Sequence, residues 1–189
     1  MVDENGVIEW INGNMGSGTT MLYPASVLRG RGAKSDSLGI AFAGPGQHQD
    51  TGSKAIHVAP ETSSKIVAKS ISTGDGIASY RGMVNVRPQA KQSKVSVECD
   101  ALLMNDGAVS RTTPAMRIEA ADANIAHEAR VGSIGDEEIF YLQSRGMSKD
   151  QAMQMVVSGF VEPVVKALPL EYALELNRLI ELEMEDSIG

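Results

Sequence analysis

The chain is short of cysteine, of aromatic residues and of basic charge, and it has no long apolar run. Its single cysteine, Cys99, excludes an internal disulfide framework and any metal cage built from cysteines of this chain alone. A bridge or metal site using Cys99 must take its other ligands from different residue types or from another chain. No apolar stretch approaches the roughly 18 residues of a membrane span, so no membrane partner is expected. The first residues, Met1 to Gly6, are acidic where a secretory signal would be basic and then apolar, which makes a cytoplasmic location the expectation. The net charge of -7 argues against nonspecific nucleic-acid binding, which needs a basic field to release counterions from phosphates.

What is present is ordinary globular material, unevenly arranged. Hydrophobic residues make up 42% and charged residues 22% of 189, enough for a real core. Residues 1–131 hold thirteen acidic and thirteen basic side chains, whereas residues 132–189 hold eleven acidic and four basic. The imbalance therefore lies in the last third, as a solvated face or a docking surface. The first part is rich in Gly, Ser, Thr and Val, with alternating segments at Val7–Trp10, Leu38–Phe42, Ile56–Val58 and Lys94–Val97 that read as strands. An antiparallel sandwich and a parallel solenoid both fit such segments. A repeat decides between them: Ile56-His57-Val58-Ala59-Pro60 through Ile66-Val67 returns as Val84-Asn85-Val86-Arg87-Pro88 through Val95-Ser96-Val97, about 28 residues on. A weaker copy begins at Val27-Leu28. Such a period marks stacked units, each too thin to bury its own apolar face, and predicts a parallel β-helix over residues 1–134.

From Gly135 the pattern is helical, and residues 135–189 are expected to form a small helical domain. Asp136-Glu137-Glu138 places negative charge at a helix start, where the backbone dipole favours it. Ser148 and Gln151 have the spacing of a capping box opening a second helix. Gly159 and Pro163 are expected to interrupt or restart that helix, and Leu170–Glu185 reads as a third. Gly16-Ser17-Gly18-Thr19-Thr20 lacks the lysine and spacing of a phosphate loop and is excluded as one.

An ordered set of segments makes the chain recognisable: Gly46-Gln47-His48-Gln49-Asp50-Thr51-Gly52, Tyr80-Arg81-Gly82, Cys99 to Met104, His127-Glu128-Ala129, Phe140 to Gly146 and Leu168 to Ala173. The sequence resembles the SufB/SufD family, the scaffold subunits of the SUF iron-sulfur cluster assembly machinery. Cys99 and Glu128 together favour its SufB branch. The resemblance implies a right-handed parallel β-helix followed by a helical domain that docks the SufC-type ABC ATPase. It also implies pairing with a SufD-type or second SufB-type subunit, delivery of sulfur by a donor protein, and a transient iron-sulfur cluster as cargo. It leaves room for a flavin in the full complex. Related scaffolds are typically more than twice this length, so upstream coils and the sulfur-entry residues they carry are expected to be missing.

By the same resemblance Cys99 is the essential cysteine, holding persulfide sulfur or nascent cluster, with Glu128 and, less strongly, His127 as metal ligands. The chemistry suits a temporary holder. A thiolate is a soft anionic ligand, and carboxylate or imidazole completes a labile sphere that a four-cysteine cage would make too tight. Strand alternation allows only one of His127 and Glu128 to face Cys99, and Glu128 is the expected one. His48 and His57, isolated on strands, read as structural. Against this stands the plain reading of a lone cysteine as a small core hydrophobe. Two other functions compete: a SufD-like structural partner holding no cluster, and a solenoid acyltransferase using His48 or His57 as base. The period of about 28 residues, with no hexad rhythm inside it, speaks against the acyltransferase.

Overall fold

A computed structural model describes residues 1–188; Gly189, the last residue of the expected helical region, lies outside them. Thirteen strands precede three helices. Each coil of the solenoid has one long and two short strands, and the long ones stack in register as β1 (Val7–Asn14), β4 (Lys34–Ala43), β7 (Ser63–Ser72), β10 (Lys94–Leu103) and β13 (Asn124–Ser133). The first short strands, β2 (Thr19–Leu22), β5 (His48–Thr51), β8 (Ile77–Tyr80) and β11 (Val109–Thr112), form a second wall. The third wall holds β3 (Ala25–Leu28), β6 (Lys54–His57), β9 (Met83–Val86) and β12 (Ala115–Ile118). All pairings are parallel. The architecture is the β-solenoid with helices that the repeat implies.

The repeat is less regular than it reads in the sequence. Val7 lies opposite Lys34, Lys34 opposite Ser63, Ser63 opposite Lys94 and Lys94 opposite Asn124, so successive coils advance by 27, 29, 31 and 30 residues. Ala55, not Ile56, pairs with Val84. The similarity seen at 28 residues is thus one residue out of register at β6, because Ile56 and Val84 match in type while facing opposite ways.

Two-residue corners turn the chain between second and third walls, and their chemistry is steric. A Cβ on Gly52 would come within 2.1 Å of the Arg81 carbonyl oxygen of the next coil, so only glycine allows the corners to stack there. Beside it, Asp50 is buried and accepts from the Arg81 guanidinium at 3.0 Å. Two of the recognisable segments, one around Asp50 and the other Tyr80-Arg81-Gly82, therefore meet as neighbouring coils of one corner.

Among the helices α1 (Asp136–Ser144), α2 (Lys149–Ala167) and α3 (Leu170–Ile188), the acidic first turn of α1 is present, and so is the capping box. Ser148 Oγ accepts from the Gln151 amide at 3.2 Å, and the Gln151 side chain accepts from the Ser148 amide at 2.9 Å. The expected break at Gly159 and Pro163 does not occur: α2 runs through both. An interior proline costs a helix about 3 kcal/mol. Val157, Val161 and Val164 are each at most 1% exposed, and burying three such side chains outweighs that cost at roughly 1.5–3 kcal/mol apiece. These valines, with Leu176, Ile180 and Met184 of α3, cover Ile40, Phe42, Ile71 and Leu102 on the outer face of the long-strand wall. Leu174 and Leu179 of α3 stay exposed because only every fourth residue reaches that wall. Among the described residues no helix is long and apolar enough to cross a membrane.

Candidate functional site

Cys99 sits in the middle of β10 and points into the solenoid. Val95, Val97 and Ala101 share its buried face, while Glu98 and Asp100 alternate outward. The register stacks Asn12, Gly39, Ala68, Cys99 and Ala129 at one level of five successive coils. Small side chains at this level leave a partly open cavity of about 30 Å³, lined by Asn12, Gly39, Ser70, Tyr80, Cys99 and Thr112 among others. A Cβ on Gly39 would meet nothing within 4 Å, which confirms open space there.

Tyr80 reaches this cavity from the second wall. It is 7% exposed, and its hydroxyl is a buried side-chain oxygen with no hydrogen-bond partner among the described residues. The Ser53 backbone N–H and hydroxyl act on the Tyr80 oxygen as donors and oppose the rise of its pKa without reaching hydrogen-bond geometry, and the Ser53 hydroxyl lies 2.6 Å from Ser37 Oγ. Gly82 makes room for the ring, since a Cβ there would lie 2.8 Å from Tyr80 Cε1. Sequence reasoning included Tyr80 in a recognisable segment and gave it no role. The available signal was an aromatic residue, in a chain with few, beside a glycine that shapes space for it.

Burial pushes the Cys99 thiol up to about 11, with the Asp100 and Glu98 carboxylates adding to the effect, so at neutral pH it is protonated. Burial likewise raises the Tyr80 phenol, and the Cys99 sulfur raises it further. The hydroxyl therefore keeps its proton and is a donor. Behind Cys99 on the outer face, Asp100 accepts from Lys69 at 3.0 Å and from Arg130 at 3.0 Å. Burial opposes ionisation of Asp100, but these two cations outweigh it and hold its carboxyl below the usual range. Lys69 Nζ also lies 4.5 Å from the centre of the Phe160 ring, which ties α2 to the strand beside Cys99.

The two expected ligands on β13 separate. Cys99 pairs with Ala129, and Val97 with His127, so His127 is on the cysteine's face and Glu128 is not. Glu128 is paired with Glu98 on the outer face, its side chain 64% exposed and 3.6 Å from Arg130. The preference for Glu128 as the group facing Cys99 is thus reversed, because a one-residue step along a strand changes face. His127 and Ala129 are exposed although they face inward: β13 begins a coil whose other two walls do not follow, and they overhang the open end. Among the described residues no group of three or more His, Cys, Asp and Glu side chains is placed to hold a metal ion.

The remaining histidines are structural. His57 is fully buried, with Nδ1 2.8 Å from Thr62 Oγ1 and Nε2 2.9 Å from Ser64 Oγ, and Thr62 continues to Ser93 at 2.8 Å. His48 Nε2 is 3.0 Å from Ser79 Oγ.

Comparison with known proteins identifies the family. Residues 1–160 match the family described as SUF system FeS cluster assembly, SufBD core domain. The iron-sulfur cluster assembly protein SufB of Bacillus subtilis is 50% identical over 187 residues, which are 99% of this chain and 40% of that protein. An iron-sulfur cluster assembly SufBD family protein of Mycobacterium leprae is 53% identical over 188 residues, 100% of this chain and 22% of its own length. A SufBD family protein of Staphylococcus saprophyticus is 50% identical over 189 residues, 41% of its length. The chain thus spans less than half of the relatives it matches. With its solenoid, its helices and the match over residues 1–160, the chain belongs to the SufBD family of SUF-system iron-sulfur cluster assembly proteins.

Proposed function

We propose that this chain is a SufB-type assembly scaffold in the cytoplasm that carries sulfur on Cys99 for a transient iron-sulfur cluster. It is a holder rather than an enzyme, with ATP hydrolysis belonging to a SufC-type partner. The observation that carries the reading is the position of Cys99, the only thiol, which packs in a core cluster with Tyr80, Val95 and Val97 and still borders a cavity of about 30 Å³. A cavity of that size takes one or two water-sized groups. It suits one extra sulfur atom and is too small for a cluster core of two irons and two sulfides, or for a flavin ring. Persulfide in the interior therefore fits better than cluster in the interior. Cluster assembly belongs at the open end of the solenoid, where His127 overhangs, and a SufD-type or second SufB-type subunit completes the ligand set there. Glu128, on the outer face, joins that set only from the partner-facing side.

Exposed Phe140 and Tyr141 on α1, and Leu170, Tyr172 and Leu174 on α3, suit the acidic helical region 135–189 to docking the ATPase. A second reading, a SufD-like structural subunit without cluster ligation, is favoured by one observation: the Cys99 thiol is buried and protonated, hence a poor nucleophile. Anaerobic reconstitution with iron, a reductant and a persulfide-bearing sulfur-donor protein as the sole sulfur source, with both partner subunits present, separates the two. Cluster absorption is expected in wild type and lost in Cys99→Ser; equal absorption in both would establish the structural reading.

A further inference from the structure

The Tyr80 hydroxyl is buried without a hydrogen-bond partner among the described residues, and Tyr80 lines the same cavity as Cys99, the only thiol of the chain. An unsatisfied buried polar group destabilises a fold, by about 1–3 kcal/mol, unless something binds it. No hydrogen bond joins it to Cys99 Sγ as the chain stands. Both side chains line the cavity. A sulfur atom added to Cys99 stands about 2.0 Å beyond Sγ and has only that space to occupy.

We propose that Tyr80 is the binding residue for sulfane sulfur on Cys99, its O–H donating to the outer sulfur of a Cys99 persulfide. The inference rests on the sulfur-carrier reading above and adds the group that recognises the cargo. In the loading step Cys99 Sγ attacks the outer sulfur of a donor persulfide. The new S–S bond forms as the donor's S–S bond breaks, the donor leaves as a thiol with the proton Cys99 gives up, and nothing is oxidised or reduced overall. The outer sulfur of the product carries negative charge when ionised, and a hydrogen bond to a charged acceptor is the stronger kind. Tyr80 remains protonated beside it because burial and the adjacent sulfur both disfavour a phenolate.

The test uses the 189-residue chain and inorganic polysulfide as probe. Wild type is expected to gain one sulfur atom at Cys99, seen by intact mass, and Cys99→Ser none; failure here would remove the carrier reading itself. Loaded wild type and loaded Tyr80→Phe are then chased with dithiothreitol across a pH series. Tyr80→Phe is expected to lose its sulfur about tenfold faster, with the pH profile of release displaced upward. Equal rates and superimposed profiles in a chain that loads normally would overturn the role of Tyr80 and leave the carrier reading intact. Unloaded Tyr80→Phe is expected to melt at or above the wild-type temperature, since it loses only an unpartnered oxygen. A lower melting temperature would also overturn the proposal, by showing that the hydroxyl has a partner before sulfur arrives.

Discussion

His57 shows how the interior of this solenoid handles a titratable group. Burial lowers its pKa from 6.5 to about 4, and both ring nitrogens are held by hydroxyls. The unfolded chain takes up a proton near 6.5 and the folded chain does not until about 4. Native stability is therefore complete above 6.5 and falls as pH drops from there toward 4, by about 3 kcal/mol in all. Urea unfolding at about pH 7 and about pH 5 should show about 2 kcal/mol of this loss in wild type, and His57→Gln should remove most of that slope; an unchanged slope would contradict it. Legibility differed between residues. Cys99 stood out as a candidate because it is the lone thiol and lies in a recognisable segment, but its burial was not legible. Nor was the orientation of Glu128, because it depends on which neighbour β13 pairs with, and a register is a property of two strands. Tyr80 escaped for the same reason: its partner lies 19 residues on in sequence and faces it only across the closed coil.

At the scale of elements, the cavity exists because β4 and β7 place Gly39 and Ala68 at the level of Cys99. Gly39→Val should fill it. A β-branched side chain replacing glycine in a strand, entering open space, is expected to stabilise the chain by about 1 kcal/mol while abolishing sulfur retention at Cys99. Chemical denaturation and intact mass after polysulfide treatment measure the two effects. Retention equal to wild type would show that sulfur does not occupy this space. The strand walls were legible from alternation, but their ends were not: β10 runs on from Val97 to Leu103 because Leu102 is covered by the helices from outside. The passage of α2 through Pro163 has the same origin, since packing against the solenoid outweighs a local preference that is all a short window of sequence displays.

For the whole molecule, the helices share a core with the outer face of the solenoid, since a single hydrophobic cluster contains Ile40, Phe42 and Ile71 together with Val161 and Ile180. Deleting residues 136–189 would bare that face and is expected to cause aggregation, so ATPase docking is better tested by surface changes. Phe140→Ala with Tyr172→Ala, at residues 71% and 67% exposed, should leave the melting temperature within a degree or two and weaken co-purification with a SufC-type ATPase about tenfold. Undiminished binding would place the docking surface elsewhere. The two-part organisation and its charge asymmetry were plain in the sequence; the shared core was not, because it joins residues more than a hundred positions apart. The central claim, that Cys99 is a sulfur-bearing residue and more than a packed hydrophobe, is tested most directly by the mass of the Cys99 peptide after the chain meets its sulfur-donor protein. One added sulfur atom, removable by dithiothreitol and absent from Cys99→Ala, is the expected result. An unmodified peptide under conditions in which the donor has discharged its sulfur to the complex would contradict it.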